Sequence, residues 1–537
     1  MQVSLVSLVV MALGAVGWSD VSETLVISRG MAAPDCRHAS VLLVNGTFTG
    51  PPITVSQGDR LRLTIVNQLD EPFSMHLHGI NQVGTPFSDG ASGVTTMPMP
   101  PRSTAVHSSI MADHGTFFYH AHVKLLDLHV YGPLVVKAAD GYDPYATYED
   151  RILMLSDYWT ADIDTLYAGL VDAPVSKFVG APQAFLTNGK TIATNCSAPD
   201  TRYASLDVQQ GQTYRLRLVG ATSLFAVHFR IPQHKLKLVE LEGTYVVPTT
   251  LDYIEVLPGQ RMSLLVTADQ PVDNYWMQMT GKWRLNPPTN GFSVLHYTGA
   301  GDPPATPPAL LPAINETVGW QEQFSPLDDQ ATTIPPASAP PVLVNGTQVV
   351  WGVNGTLRRW AINGIVYEDY HHSTLLEDVI ASTVSSRPVG ARPKAYFKTG
   401  QVVDIVLQNN VALSGVCEMH PWHLHGHSFW VVNSGAGNYD PSSVASDRTI
   451  AVKRDIVAVY PHHAAYNQPG GTPGTGCGWA KIRFVANNVG AWALHCHIAS
   501  HFAMGMAAAF VVGEDSLHDP AFVEHLRCQS AGYRCQC

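Results

Sequence analysis

TVSQGDRLRLTIVN, from Thr54 to Asn67, is a glycine turn followed by period-2 alternation, the mark of a half-buried strand. The signal recurs as LDVQQGQTYRLRLVG (Leu206–Gly220) and again as AYFKTGQVVDIVLQNN (Ala395–Asn410). A second landmark follows each copy: FSMHLHG (Phe73–Gly79), FAVHFRI (Phe225–Ile231) and HPWHLHGHSF (His420–Phe429). A third comes later: GTFFYHAH (Gly115–His122), NYWMQMTG (Asn274–Gly281) and GAWALHCH (Gly490–His497). The order never changes, so the chain reads as three related all-β domains. Strand-length runs between Gly, Pro and Asn turns, with few helical patterns, favour sandwiches or barrels of Greek-key type.

The domains are expected at 20–140, 141–300 and 346–515. Between the second and third, residues 301–345 carry PPATPPALLP and IPPASAPP, the composition of an extended linker or of a strap laid over domain surfaces. Length agrees, because 537 residues exceed what one compact core accommodates. Charged residues are only 14% against 45% hydrophobic, a globular balance, and the net charge of −11 is spread along the chain. Nucleic acid is excluded as a partner, since counterion release needs clustered Lys and Arg.

The apolar run Leu5–Val16, then small residues and Asp20, predicts a signal peptide over 1–19, cut near Gly17 or Ser19 although no Lys or Arg precedes it. No stretch is long and apolar enough for a membrane span. Five N-x-[ST] sequons, at Asn45, Asn195, Asn315, Asn345 and Asn354, accord with secretion. Among eight cysteines in a secreted chain, Cys36–Cys196 and Cys417–Cys477 are candidate staples. Cys528, Cys535 and Cys537 crowd a C-terminal tail, 516–537, and spacing alone does not fix the pairing.

Where the outer repeats have paired histidines, the middle one has a single His228, then Met277 and Met279. The histidines are therefore not a requirement of the fold, and they point to sites built between the outer domains. In a strand, residues i and i+2 share a face. His76 with His78, His120 with His122, His423 with His425, and His495 with His497 can supply eight imidazoles from four segments. Cys496 must face the other way, so one step of chain joins a thiolate site to an imidazole site. His420, Cys496, His501 and Met506 form the set of two His, one Cys and a weak axial Met that suits copper cycling between two oxidation states. Zinc would favour a richer Cys set.

HLHG, HAH, HPWHLHGH and HCHIASHFAMGM resemble the four copper-binding segments of the multicopper oxidases, ascorbate oxidase and laccase type, and the likeness runs from about Ser22 to Gly513. The resemblance implies three consecutive cupredoxin-like domains and four copper ions. By position, type 1 copper falls to His420, Cys496, His501 and Met506, and type 2 to His76 and His423. The type 3 pair falls to His78, His120, His122, His425, His495 and His497. His427 lies outside that pattern and is read as structural. GTPFSDG (Gly84–Gly90), LSDYW (Leu155–Trp159) and RWAING (Arg359–Gly364) are most like ascorbate oxidase.

Departures are informative. Leu77 stands where the family often has Trp. The Cys that ascorbate oxidase uses near Met97 to hold its tail is absent. Ala499 replaces a family Asp or Glu that helps deliver protons, which leaves Asp89. The implied reaction takes one electron at a time from a small reductant at the edge of His501 or His420. It carries them across Cys496 to His495 and His497, and reduces dioxygen to water. Trp360 and Phe178 match the aromatics that stack on substrate in ascorbate oxidase; the alternative is that both are core aromatics. Ascorbate is the expected reductant, with a phenol-oxidising laccase and a ferroxidase as alternatives. Copper storage without turnover would leave the HCH wiring purposeless.

Overall fold

The computed structural model describes residues 19–532, apart from 140, 173–175, 193–195, 197–201, 285–288, 304–305, 308–318, 329–332, 352–356, 371, 444 and 462–468. The expected signal peptide, apart from Ser19, and the sequons at Asn195, Asn315 and Asn354 lie outside the described residues. No helix among the described residues is long and apolar enough to cross a membrane.

Arg60–Asn67 is a strand whose Leu61, Leu63 and Ile65 are buried while Arg62, Thr64 and Val66 are half-buried, as its alternation predicts. Each such side chain contributes about 1.5–3 kcal/mol when fully buried. The matching strand Thr213–Gly220 differs, because its polar positions are buried too. Arg215 pairs with Asp143 and Glu240, and the Arg217 guanidinium reaches Thr116 Oγ1 in the first domain at 3.0 Å. The neighbouring domain covers the face that alternation assigns to solvent.

Three two-sheet sandwiches result, of four and four, six and five, and seven and five strands among the described residues. All three repeat one topology. The opening strands Asp20–Ala32, Glu149–Tyr158 and Val342–Trp351 lie parallel to Arg60–Asn67, Thr213–Gly220 and Gln401–Asn410. The landmark strands pair antiparallel in each: Met75–His78 with Gly115–Ala121, Ala226–Arg230 with Asn274–Lys282, and His420–Leu424 with Gly490–Cys496.

The described parts of the proline-rich segment form a strap. Ser325 and Leu327 bond to Val247 and Tyr245 of the second domain, and Ile334 and Ser338 bond to Thr449 and Val402 of the third. Disulfides join Cys36 to Cys196, between the first and second domains, and Cys417 to Cys477 within the third. Cys528 is also disulfide-bonded. It lies on the terminal helix Pro520–Ser530, which docks on the first domain: Ser88 Oγ donates to Ser530 O at 3.1 Å and Arg62 to Gly532 O at 3.0 Å. Those contacts hold the tail where no covalent staple near Met97 is expected. Asn345 lies in a strand with its amide oxygen accepting from Asn410; Asn45 is exposed on a turn, its amide accepting from Val26 N and donating to Thr24 O.

Candidate metal centre

Strand register builds the centre. His76 faces His120 across one antiparallel pair, and His423 faces His495 across the other. Alternation then turns all four H-x-H pairs toward a common space between the first and third domains. There the ring nitrogens converge in triads: His78, His120 and His497; His122, His425 and His495; His76, His423 and His425. His122 Nε2 and His425 Nε2 lie 3.3 and 3.1 Å from His495 Nε2, and His497 Nε2 lies 3.1 Å from His78 Nδ1.

Six of the eight rings commit their opposite nitrogen elsewhere, while His122 Nδ1 and His497 Nδ1 have no hydrogen-bond partner. His76 Nδ1 donates to Asp89 O at 2.7 Å, His120 Nδ1 to Ala121 O at 2.8 Å, and His495 Nδ1 to Cys496 O at 3.0 Å. His423 Nδ1 donates to Asp455 O at 2.9 Å, His425 Nδ1 to Asp89 Oδ2 at 3.0 Å, and His78 Nε2 to Asp455 Oδ1 at 3.2 Å. The lone-pair nitrogens therefore point inward, where they have no proton to share. Burial, then neighbouring imidazoles, holds His78, His122, His423, His425 and His497 well below the usual histidine range. The same causes bring His120 to about 3, and burial brings His495 to about 4. Neutral imidazole is the ligating form. Two nitrogens about 2.0 Å from a shared metal at a tetrahedral angle lie roughly 3.3 Å apart, which matches these spacings. The donor set fits copper.

The second site is on the other face of the same strand. Cys496 pairs with Trp422, which shares its side of the strand with His420. Cys496 is the free cysteine among the described residues, and its Sγ lies 3.5 Å from His420 Nδ1 and 3.8 Å from His501 Nδ1. Burial pushes this thiol up to about 12. Met506 is buried, its carbonyl accepting from Cys496 N and its N–H donating to His501 O. His427 is structural as expected: it accepts from Asn488 N and packs on Phe484 and Trp492.

One expectation changes on the structure. Trp360 is 0% exposed, with its ring 4.8 Å from His420 and 5.1 Å from His501, so it packs against the imidazoles and offers no face to a substrate. Phe178 is 41% exposed and 6.0 Å from the His501 ring, so it alone of the pair is open to solvent. Asp89 is wholly buried and bonds the outer nitrogen of His425, with Thr95 donating to it. Its carboxylate meets the cluster through that ring.

Sequence reading missed the outer partners. Arg261, from the second domain, makes a bidentate bond to Asp455 at 2.6 and 2.6 Å, and Asp455 in turn holds His78 and His423. Glu418 accepts from His501 Nε2 at 3.2 Å and pairs with Arg284 at 2.9 Å. Burial would raise the Glu418 carboxyl, but Arg284 and His501 outweigh it and hold it below the usual carboxylate range. No motif marks these residues; the closest signal is Glu418, two positions before His420.

Comparison with known proteins settles the family. Multicopper oxidase family models match residues 26–141, 149–300, and 366–468 with 472–516. L-ascorbate oxidase of Cucurbita maxima is 30% identical over 90% of this chain and 89% of its own length. This chain is a multicopper oxidase. Laccase-like multicopper oxidase 1 of Thermothelomyces thermophilus is also 30% identical, over 91% of the oxidase and 86% of that relative. Among solved structures, Fet3p, a multicopper oxidase that functions in iron import, superposes with a TM-score of 0.77 over 96% of each chain at 22% identity. The Botrytis aclada laccase gives 0.76 over 95% of the oxidase and 91% of that chain at 24% identity. At such identities these two likenesses speak to the fold. The oxidase uses dioxygen as acceptor and takes four copper ions: one type 1, one type 2 and a type 3 pair.

Proposed function

We propose that this oxidase draws single electrons from a small organic reductant of the ascorbate class at the His501 edge, and that it works outside the cell. The parity split of the HCH triplet carries the reading: Cys496 lies with His420 and His501, while His495 and His497 turn into the histidine cluster. When bound, copper accepts electrons singly on the thiolate side and passes four to dioxygen on the histidine side, giving water. His420, Cys496, His501 and Met506 would hold type 1. His76 and His423 would hold type 2, and His78, His120, His122, His425, His495 and His497 type 3. The protein's own work is to fix neutral imidazoles in place and to keep water from the buried thiolate. The chain also links the two sites, directly through Cys496 and by the bond from His495 Nδ1 to Cys496 O.

Ascorbate ranks first because ascorbate oxidases of several plants share about three residues in ten with this chain across nine-tenths of it. Phe178 beside His501 gives a planar donor a face to stack on. Phenols fit the same face and are the second reading. Ferrous iron fits less well, because Glu418 is already neutralised by Arg284. The apolar run Leu5–Val16, the exposed Asn45 and the disulfides support secretion.

Two measurements test this. Cys496→Ser should abolish the intense blue thiolate-to-copper band while leaving the type 3 copper largely bound; a variant that stays blue overturns the ligand assignment. Side-by-side steady-state oxidation of ascorbate, a syringyl-type phenol and ferrous iron should give ascorbate the largest kcat/KM, and a preference for either other donor displaces the ranking.

A further inference from the structure

A cavity of about 20 Å³ lies against the histidine cluster, with His120, His122, His495, His497, Ala499 and Asp127 on its wall. That volume admits roughly one water molecule. Asp127 is the carboxyl-bearing residue among those lining it, and Ala499 on the same wall offers only a methyl group. Lys124 lines this cavity and also a surface cleft of about 510 Å³, where its Nζ donates to Glu71 Oε2 at 2.6 Å. Lys124 thus borders both the small cavity and the cleft. Asp89 does not share this space, since it lies behind His425 and His76.

We propose that Asp127 delivers protons to the dioxygen being reduced at the histidine cluster, through the inner cavity and from the Lys124 cleft. The proposal rests on the copper-oxidase reading and adds a proton route to it. Turning one dioxygen into two waters consumes four electrons and four protons. The electrons enter through Cys496; each proton that Asp127 gives up is replaced from water in the cleft. The groups around Asp127 favour this role. Asp127 is half-buried as a residue, and desolvation of its carboxyl pushes it up to about 7; Asp157 adds to the rise, and the N–H groups of Asp127 and Leu128 oppose it. Lys124 faces the cavity tied to Glu71. A carboxyl raised in this direction holds its proton to higher pH than a free one and can release it to a stronger base.

The test uses the copper-loaded full chain. Asp127→Asn should slow reoxidation of the fully reduced protein by dioxygen roughly tenfold or more, while anaerobic bleaching of the blue band by reductant keeps its wild-type rate. Asp127→Glu should restore most of the reoxidation rate, and adding Ala499→Glu to Asp127→Asn should restore part of it. A readout independent of turnover is the infrared C=O stretch of a protonated carboxylic acid at about pH 6, lost in Asp127→Asn. Wild-type reoxidation in Asp127→Asn overturns the proposal. So does slowing accompanied by copper loss, or slowing that neither acid rescues, because each marks a structural role. Absence of a blue band in the wild type would instead defeat the oxidase reading itself, so the two failures are distinguishable.

Discussion

Met506 ties the type 1 site together at the residue scale, since its backbone bonds both Cys496 and His501. Its thioether would stabilise the cupric form and lower the reduction potential. Met506→Leu removes the sulfur at nearly constant volume, so the packing should hold. A redox titration of the blue band should then give a higher midpoint, and an unchanged or lower one removes Met506 from the ligand set. Phe178 is the complementary case, a side chain whose exposure suits docking rather than packing. An aromatic contact contributes about 0.5–1.5 kcal/mol beyond its area, so Phe178→Ala should raise KM for the organic donor roughly two- to tenfold. The blue band and kcat should stay near wild type; a change in the band instead would place Phe178 in the packing of the type 1 site. Trp360 shows where sequence runs out, because RWAING identifies an aromatic near the site but not that His420 and His501 bury it.

Elements were the most legible level. Period-2 alternation with fixed landmarks predicts the strands, their threefold recurrence and the facing of every H-x-H pair, because strand parity is a local property. What alternation does not encode is which other element comes close. Gly259 lies in the unremarkable turn LPGQR (Leu257–Arg261), with φ +83°. A Cβ there would come within 2.9 Å of both His497 Cδ2 and His78 Cε1. The turn thus needs glycine for its backbone conformation and for the two rings it touches. Gly259→Ala should displace those imidazoles, which sit in one triad with His120. The expected result is a folded, blue protein depleted in type 3 copper, read by metal analysis beside the blue absorption. Full copper occupancy in that variant would show that the turn yields and the rings do not.

Across the whole molecule, the second domain brings no histidine to the metal triads among the described residues, yet the centre depends on it. Its Arg261 is wholly buried and makes a two-pronged bond to Asp455, the carboxylate that holds His78 directly and His423 through its carbonyl. Glu242, also of the second domain, accepts from the Asp455 and Ile456 N–H groups at 2.7 and 3.0 Å. Single-sequence reading gives these charges no signal, because Arg261 and Asp455 are 194 positions apart and meet only when the domains close. Removing one partner of a buried pair leaves an uncompensated charge, at a cost of about 3–5 kcal/mol. Loss of a residue that orients a metal-binding histidine typically weakens affinity about 10–100-fold. Arg261→Met should therefore lower the thermal unfolding midpoint and loosen copper at the histidine cluster, with the type 1 band retained. Adding Asp455→Leu removes the stranded carboxylate, so the midpoint should recover in part, but copper affinity should not, since His78 has then lost its partner. This split is what separates a stabilising pair from one that also aims the ligands. If copper affinity recovers along with the midpoint in the double variant, Asp455 serves the domain interface alone and the Arg261–Asp455 pair has no part in positioning the centre.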